Sequence, residues 1–235
     1  MMDALCDGRL KALWVICTNP LVSRPDLTKA ERALANAEFV VVQDISSRSD
    51  TLRFADVVLP AAGWLEKEGT MTNSERRISH LASVVAPPGE ALPDGEILLR
   101  FACKMGWHKH FDYQGMADVY REHAALTQGT SIDISGLDYG RLQREGSVQW
   151  PVPHAEHPGA PRLFTDGRFF RPNQRDKLHA VPDDNTSTPP SEDFPLVLTT
   201  GRIRDQWHTM TRTGKVAKLR SHDPTSTSSN VLRNS

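Results

Sequence analysis

The sequence predicts an α/β protein built on a parallel, doubly wound sheet. Three short apolar runs follow one another: ALWVIC from Ala12 to Cys17, FVVVQD from Phe39 to Asp44, and DVVLP from Asp56 to Pro60. The first two are continuous apolar runs, which are typical of strands buried on both faces of a parallel sheet, and the third run predicts a third strand. A helical pattern separates the first two runs and a short polar segment separates the last two. This order favours parallel strands with covering layers.

The helices have their own signals. The first is predicted to begin at a capping box of Thr28 and Glu31 and to continue through RALANA. A helical turn is expected in ISSRSDTLRFA. After the third strand, PDGEILLRFACKMGW predicts an amphipathic helix that stops at Gly106. Its apolar face would comprise Ile97, Leu98, Phe101, Ala102 and Met105. QGMADVYREHAAL predicts a further helix.

The second half of the sequence carries weaker patterns. Between Thr127 and Ser191, only RLFTDGRFF is predicted to be ordered, as a hairpin around Asp166 and Gly167. The stretch DDNTSTPPSED reads as a linker, and FPLVLTTGR predicts a new strand.

These patterns divide the chain into three parts: a partial α/β domain over residues 1–126, an irregular connector over 127–193, and the start of another unit over 194–235. One or two strands cannot bury a domain alone. We therefore expect the chain to be a piece of a longer protein, or to have altered ends.

Composition argues against several function classes. The net charge of −1 and the pI of about 6.8 indicate no nucleic-acid partner and no membrane surface. No apolar run approaches the roughly 20 residues of a membrane span, and the start lacks a signal-peptide core, so a cytoplasmic location is expected. Cys6, Cys17 and Cys103 are too widely spaced for a disulfide framework or a zinc site. Cys17 and Cys103 are expected to be small buried hydrophobes.

Polar clusters follow each predicted strand, where ligands bind in open parallel sheets. Thr18-Asn19-Pro20 follows the first strand, and Asp44 with nearby serines follows the second. EKEGTMTNSERR follows the third. Each cluster also has an ordinary structural interpretation: a tight turn for Asn-Pro, a helix N-cap for Asp44, and a solvated charged loop for the third stretch.

The chemistry of these clusters suits a nucleotide. Loop N–H groups and hydroxyls suit phosphates, and an acid after the second strand suits a ribose hydroxyl or the N–H edge of guanine. The sequence lacks G-x-G-x-x-G, which disfavours an ordinary nicotinamide site. Gly69 would allow close backbone approach to a ligand. A fourth cluster, TGRIRDQWHTMTRTG, could hold an extended anion through its arginines and His208.

The segments CTNP, DTLRFADVVLPAAGWLEKEGTMTNSERR and GRIRDQWHTMTRTGK together resemble the molybdopterin oxidoreductases of the dimethyl sulfoxide reductase family. Within that family they look most like the catalytic subunits of assimilatory nitrate reductases. The resemblance runs from about Arg9 to about His222 and is weakest between Thr127 and Ser191. It implies the late part of an α/β molybdopterin-binding domain, followed by the truncated start of a C-terminal β-barrel domain that binds molybdopterin dinucleotide.

The resemblance implies a cofactor, molybdenum bis(molybdopterin guanine dinucleotide). The cofactor-facing loop would comprise Glu68, Gly69, Thr70, Asn73, Glu75 and Arg76. The nucleotide-side contacts would be Thr18, Asn19, Pro20, Asp44 and Thr51. The barrel contacts would be Thr200, Gly201, Arg202, His208, Thr209 and Thr211. Arg76 and Arg202 would hold the pterin and anions.

The resemblance also implies an oxidoreductase that reduces nitrate to nitrite and receives electrons from a donor protein or a reductase subunit. The family's N-terminal cysteine cluster for [4Fe–4S] and its molybdenum-ligating cysteine are not visible in this sequence. We therefore assign the chain no catalytic residue and no metal ligand, expect the iron–sulfur centre only in the full-length protein, and expect the chain alone to be inactive. A formate dehydrogenase-like enzyme and a non-catalytic guanine-nucleotide-binding module remain alternatives.

Overall fold

A computed structural model describes residues 1–180, 190–196, 203–207, 210 and 212–221. Contacts between Cα atoms group the chain into two units. The first comprises residues 1–40, 48–55 and those from Leu178 onward, and the second comprises 41–47 and 56–177. No described helix is both long and apolar enough to cross a membrane.

The first unit is organised around one amphipathic helix. The elements of the first unit are helix α1 (Met2–Cys6), strand β1 (Ala12–Ile16), helix α2 (Pro20–Ser23), helix α3 (Leu27–Asn36) and a 3₁₀ turn (Asp50–Phe54). Helix α3 packs against both α1 and α2. The buried side chains of α3 are Ala30, Ala33 and Leu34, which are spaced as on one face of a helix. The buried side chain of α1 is Leu5.

The start of helix α3 corrects the predicted capping box. Its N-cap is Asp26, whose Oδ1 accepts a hydrogen bond from the backbone N–H of Lys29 at 2.9 Å. Thr28 therefore lies inside the first turn and is exposed. Asp26 is a better N-cap than Thr28 because its carboxylate also places a negative charge at the positive end of the helix dipole.

The parallel sheet appears as predicted. Strand β2 (Phe39–Asp44) and strand β3 (Val57–Pro60) run parallel, with Val41 opposite Val57 and Asp44 opposite Pro60. The sheet order is β1-β2-β3. Burial on both faces was expected for the first two strands. It holds for the middle of β2, where Val42 and Gln43 are buried, and fails for β1, in which only Val15 is buried. Both β1 and β3 are edge strands of the described sheet, and Val57 and Val58 of β3 are 38% and 49% exposed.

The second unit also contains an antiparallel sheet that sequence patterns did not predict. Its strands are β4 (Gly69–Thr72), β5 (Arg77–Leu81) and β6 (Val148–Gln149), in the order β4-β5-β6. The helices of the second unit are α4 (Asp94–Lys104), α5 (Met116–Leu126) and α6 (Tyr139–Glu145). The positive φ of Gly106 confirms that residue as the stop after α4.

The expected face of α4 is only partly buried. Ile97 and Ala102 are buried, whereas Leu98, Phe101 and Met105 are 40–52% exposed. The two cysteines expected to be buried are both exposed: Cys17 directly follows β1, and Cys103 lies one residue before the end of α4.

The stretch expected to be an irregular connector contributes most of one hydrophobic cluster in the second unit. Residues 127–160 supply α6, β6 and the buried side chains of Ile134, Leu137, Tyr139, Leu142, Val148 and Val152. These pack with Ile78 of β5 and Tyr120 of α5. Tyr139 and Leu142 belong to the seven-residue helix α6, and Val148 belongs to the two-residue strand β6. Elements this short contain too few repeats for hydrophobic periodicity to detect them.

Further along the chain the expected hairpin strands are not formed. Residues 161–180 contain a turn in which Gly167 N–H donates to the Phe164 carbonyl at 3.0 Å, with the rings of Phe164 and Phe169 stacked at 4.6 Å. No strand is assigned in that range. Most of the predicted linker, and residues 197–202 of the predicted strand, lie outside the described residues. The short helix α7 (Ala217–Arg220) is the last described element. The division into three domains stays a prediction.

The N-cap of α3 can be tested directly. We expect Asp26→Ala to lower the free energy of unfolding by about 1 kcal/mol, because one N–H of the first turn loses its acceptor. The matched control is Thr28→Ala, two residues along, which should change it by less than about 0.5 kcal/mol. Urea unfolding followed by circular dichroism measures both; a larger loss in the Thr28 variant would restore the predicted capping box.

Candidate functional site

The carboxyl ends of β2 and β3 form one edge of the parallel sheet. Asp44 ends β2 opposite Pro60, and its backbone carbonyl accepts from the Ala61 N–H at 3.0 Å. The Asp44 side chain bends the chain away from the sheet, because its Oδ1 accepts from the Ser46 N–H at 3.0 Å. Asp44 is half-buried.

A cavity of about 440 Å³ opens at this edge, within the second unit. Its polar lining includes Asp44, Ser46, Ser47 and Glu66. Its apolar lining includes Val58, Pro60, Ala61, Pro88 and Ala91. The size lies within the range of small-molecule sites, and apolar walls with a few polar groups are their usual composition.

The loop after β3 is held by one of its own acids. Gly63 N–H donates to Glu66 Oε2 at 2.6 Å, which caps the 3₁₀ turn at Trp64–Glu66. A Cβ on Gly63 would lie 3.3 Å from that same oxygen. Glu66 thus shapes the cavity wall that it lines.

The stretch that was predicted to be a cofactor-facing loop is a β-hairpin. Strands β4 and β5 pair antiparallel, and Thr70 lies opposite His80. Asn73 forms the turn: its Oδ1 accepts from the N–H groups of Glu75 and Arg77, each at 3.0 Å. Arg76 completes the turn with a φ of 66°. Asn73 and Glu75 are exposed, and Thr70 and Gly69 are half-buried.

Arg76 is engaged by its own chain. Its guanidinium donates to the Trp150 carbonyl, to the Ala160 carbonyl at 2.9 Å and to the Pro161 carbonyl at 3.2 Å. It also lies 5.3 Å from the centre of the Trp150 ring. These contacts give Arg76 a structural role that competes with the predicted role in holding pterin or anions.

Sequence reasoning missed His80, which supports Glu68 from the neighbouring strand. His80 Nε2 lies 2.8 Å from Glu68 Oε1, and its side chain is 8% exposed. The ring packs edge-on against Tyr139 at 4.7 Å, and burial raises the pKa of the Tyr139 phenol. The residues of RISHL do not alternate strictly between polar and apolar, so hydrophobic periodicity did not indicate the strand that carries His80.

The predicted nucleotide contacts after β1 lie in the first unit and are mostly bonded to one another. Asn19 Nδ2 donates to Asp50 Oδ2 at 3.1 Å, and Thr51 Oγ1 donates to Asn19 Oδ1 at 2.8 Å. Asn19 is 7% exposed and Thr51 is fully buried. Pro20 is buried as the first residue of α2, and only Thr18 is exposed.

A second cavity, of about 450 Å³, lies beside this turn in the first unit. Thr18 and Pro20 line it together with Trp14, Ser23 and Arg24.

The barrel residues of the predicted site lie outside the described residues: Thr200, Gly201, Arg202, His208, Thr209 and Thr211. Among the residues that are described, no group of three or more His, Cys, Asp and Glu side chains could hold a metal ion.

Comparison with known proteins identifies the class. Residues 1–104 match the family model for molybdopterin oxidoreductases. The chain is 39% identical to the assimilatory nitrate reductase catalytic subunit of Bacillus subtilis, over 93% of this chain and 31% of that protein. It is 40% identical to the F420-dependent formate dehydrogenase subunit alpha of Methanocaldococcus jannaschii, over 89% of this chain and 30% of that protein. Residues 1–104 therefore form part of a molybdopterin oxidoreductase domain, and the chain as a whole is similar to members of that family.

Within that family, its relatives include both nitrate reductases and formate dehydrogenases. The nitrate reductase of Klebsiella oxytoca is 42% identical over 94% of this chain and 26% of its own length. The chain thus spans about a third or less of the relatives that it matches. The solved structure of acetylene hydratase from Pelobacter acetylenicus shares the fold, with a TM-score of 0.52 and 22% identity over 64% of this chain and 20% of that one.

The contribution of Arg76 to stability can be tested by substitution. Arg76→Ala should lower the free energy of unfolding by about 2–3 kcal/mol, because three carbonyl groups lose a charged donor. Arg76→Lys should recover only part of this loss, since one ammonium group cannot reproduce the planar fork. Arg100→Ala, which breaks an exposed pair with Glu96, is the control and should cost less than about 1 kcal/mol. Equal costs for Arg76 and Arg100 in urea unfolding would contradict this role.

Proposed function

We propose that the chain is a segment of a molybdenum-dependent oxidoreductase that reduces nitrate to nitrite and binds bis(molybdopterin guanine dinucleotide). Nitrate is its small-molecule substrate, and an electron-donor protein or reductase subunit is its partner. The support from comparison is the identity with the nitrate reductases of Bacillus subtilis and Klebsiella oxytoca across nearly the whole chain. The support from structure is the cavity at Asp44.

The hydrogen-bond acceptors that Asp44 offers in that cavity suit guanine. Asp44 Oδ1 accepts one hydrogen bond, from the Ser46 N–H, and can accept a second, and Oδ2 accepts none within the part of the chain that the structure describes. Guanine presents a ring N–H beside an exocyclic amine, both donors, on one edge. A carboxylate accepts from such a pair with charge-assisted strength. The apolar side chains of Val58 and Pro60 suit the faces of a flat base.

The hairpin supports the pterin side of the proposal. A Cβ on Gly69 would meet no atom within 4 Å, and the residue has an ordinary φ, so neither packing nor backbone geometry within the chain requires glycine here. Close approach of a ligand to the backbone is a reason for glycine that remains. Glu68, held by His80, and the half-buried Thr70 flank the same position.

The chain's own residues bind and orient in this proposal. The bound molybdenum and its dithiolene ligands supply the transfer of an oxygen atom and two electrons when the cofactor is present. Asp44 holds the base, and the hairpin presents its backbone to the pterin. Neither needs to move a proton, so no residue of this chain is assigned an acid–base role.

Formate oxidation is the second candidate, and the 40% identity with a formate dehydrogenase subunit favours it. The features that support cofactor binding apply equally to both reactions, so they do not separate nitrate from formate. A non-catalytic guanine-nucleotide-binding module would also use the Asp44 cavity, but without turnover.

Nucleotide preference tests the proposed cavity. By isothermal titration calorimetry of the chain, we expect GMP to bind more tightly than IMP, which lacks the exocyclic amine, and AMP to bind most weakly. Asp44→Asn should weaken GMP binding about tenfold, since one charged acceptor is lost. Asp112→Asn, an exposed acid outside the cavity, is the control. Equal affinity for GMP and AMP, or no effect of Asp44→Asn, would exclude guanine recognition by Asp44.

Turnover separates the three candidates. The purified protein that carries this chain, with its cofactor, should produce nitrite from nitrate with reduced methyl viologen as the donor. Viologen reduction that depends on formate would favour the second candidate. A protein that binds GMP but contains no molybdenum and turns over neither substrate would be the non-catalytic module, and the proposed activity would be wrong.

A further inference from the structure

Three segments of the second unit meet at one carboxylate. Gln43 Nε2 donates to Asp94 Oδ1 at 2.7 Å, and Lys67 Nζ forms an ion pair with Asp94 Oδ2. Gln43 belongs to the end of β2, Lys67 to the entry of the hairpin, and Asp94 to the first turn of α4. We refer to Gln43, Lys67 and Asp94 as the Asp94 tie.

The tie is enclosed enough to matter energetically. Gln43 is fully buried, and the side chains of Lys67 and Asp94 are only 30% and 22% exposed. Gln43 Oε1 has no hydrogen-bond partner among the described residues, so its bond to Asp94 is the one that satisfies the buried amide there. Losing that acceptor would leave both ends of the amide unpaired in the interior, which is costly.

Asp94 is itself fixed from two directions. Leu92, two residues earlier, pairs with Ala61 at the end of β3: Ala62 N–H donates to the Leu92 carbonyl at 2.8 Å, and Leu92 N–H donates to the Pro60 carbonyl at 3.1 Å. Asp94 also lies at the start of α4, where the helix dipole favours a negative charge. The carboxylate is therefore a rigid point to which the other two segments attach.

Each member of the tie adjoins a wall of the Asp44 cavity. Gln43 is next to Asp44, and Lys67 is next to Glu66. Asp94 lies three residues after Ala91. Since the three walls come from segments distant in sequence, contacts that join those segments set their separation.

We propose that Asp94 is a positioning residue that, through Gln43 and Lys67, holds the three walls of the Asp44 cavity at the spacing needed to bind a guanine base. This rests on the proposed function for its ligand, but the positioning itself does not. Asp94 does not line the cavity. It acts by fixing the strand end that carries Asp44 and the segment before the hairpin that carries Glu66.

The matched pair for a test is Asp94→Asn and Glu96→Gln. Both remove one carboxylate from the first turn of α4, so both lose the same helix-dipole contribution. Among the described residues, Glu96 pairs with the exposed Arg100 at 3.0 Å, and it does not line the Asp44 cavity. Lys67→Met is a second variant that leaves the buried Gln43–Asp94 bond intact, in case Asp94→Asn does not fold.

Hydrogen exchange of the nucleotide-free chain reads the positioning directly. We expect Asp94→Asn and Lys67→Met to speed exchange of the Gly69–Thr72 amides about tenfold, whereas Leu142 in α6 exchanges as in the wild type. Asp94→Ala, which also removes the acceptor of Gln43 Nε2, should do the same for the amide of Ala61. Glu96→Gln should leave all of them unchanged. Uniform acceleration that includes Leu142, or identical behaviour of the Asp94 and Glu96 variants, would reduce Asp94 to a general stabilising residue and overturn the inference.

GMP titration of the same variants completes the test. The Asp94 and Lys67 variants should bind GMP about tenfold more weakly than the wild type, and Glu96→Gln should bind it equally well. Local acceleration of exchange with wild-type GMP affinity would show that the walls move without consequence, and would overturn the inference. If the wild-type chain does not bind GMP, the guanine proposal has failed, and the exchange data alone decide whether Asp94 holds the walls.

Discussion

The parallel pairing of β2 with β3 is the constraint on which the candidate site depends. Because the two strands run in the same direction and Asp44 lies opposite Pro60, the loops that leave them begin at the same edge of the sheet. The Asp44 turn leads away on one side, and the Gly63–Glu66 turn leads away on the other. A cavity between them follows from this arrangement, and the segment at Pro88–Ala91 closes the third side.

The polar residues of the candidate site divide into those that hold the chain and those with capacity left for a ligand. Three groups belong to the first kind because they hydrogen-bond to other parts of the chain and stabilise loops: the Asn19–Thr51 pair, Asn73 and Arg76. Asp44 keeps an oxygen directed to no described residue, and the space beside Gly69 is open. Recognition of a large cofactor needs both kinds, because a loop that is not preorganised pays an ordering cost on binding.

The sequence was informative where structure is local. Strand β2 has the bounds that its apolar run predicted, and α4 ends before Gly106 as its pattern indicated. The failures come from contacts between distant residues. Ile134, Leu137 and Val152 are buried only because Ile78 and Tyr120 pack against them, and their own Gly- and Pro-rich surroundings resemble a connector. The hairpin was missed since its turn depends on Asn73 accepting two N–H groups, a geometry that a string of polar residues does not reveal. Asp44 could be named from sequence because it directly follows an apolar run. The roles of His80 and Asp94 could not, because they depend on contacts with residues that are distant in sequence.

The central claim is that the carboxylate at the end of β2 receives the guanine edge of the cofactor. A crystal structure of the chain with GMP tests it most directly. The account predicts the base within the cavity lined by Asp44, Val58 and Pro60, with the ring N–H and the exocyclic amine of guanine each about 2.9 Å from the oxygens of Asp44. A nucleotide bound elsewhere, or one that enters this cavity with its phosphate or ribose against Asp44 and its base in solvent, would contradict it.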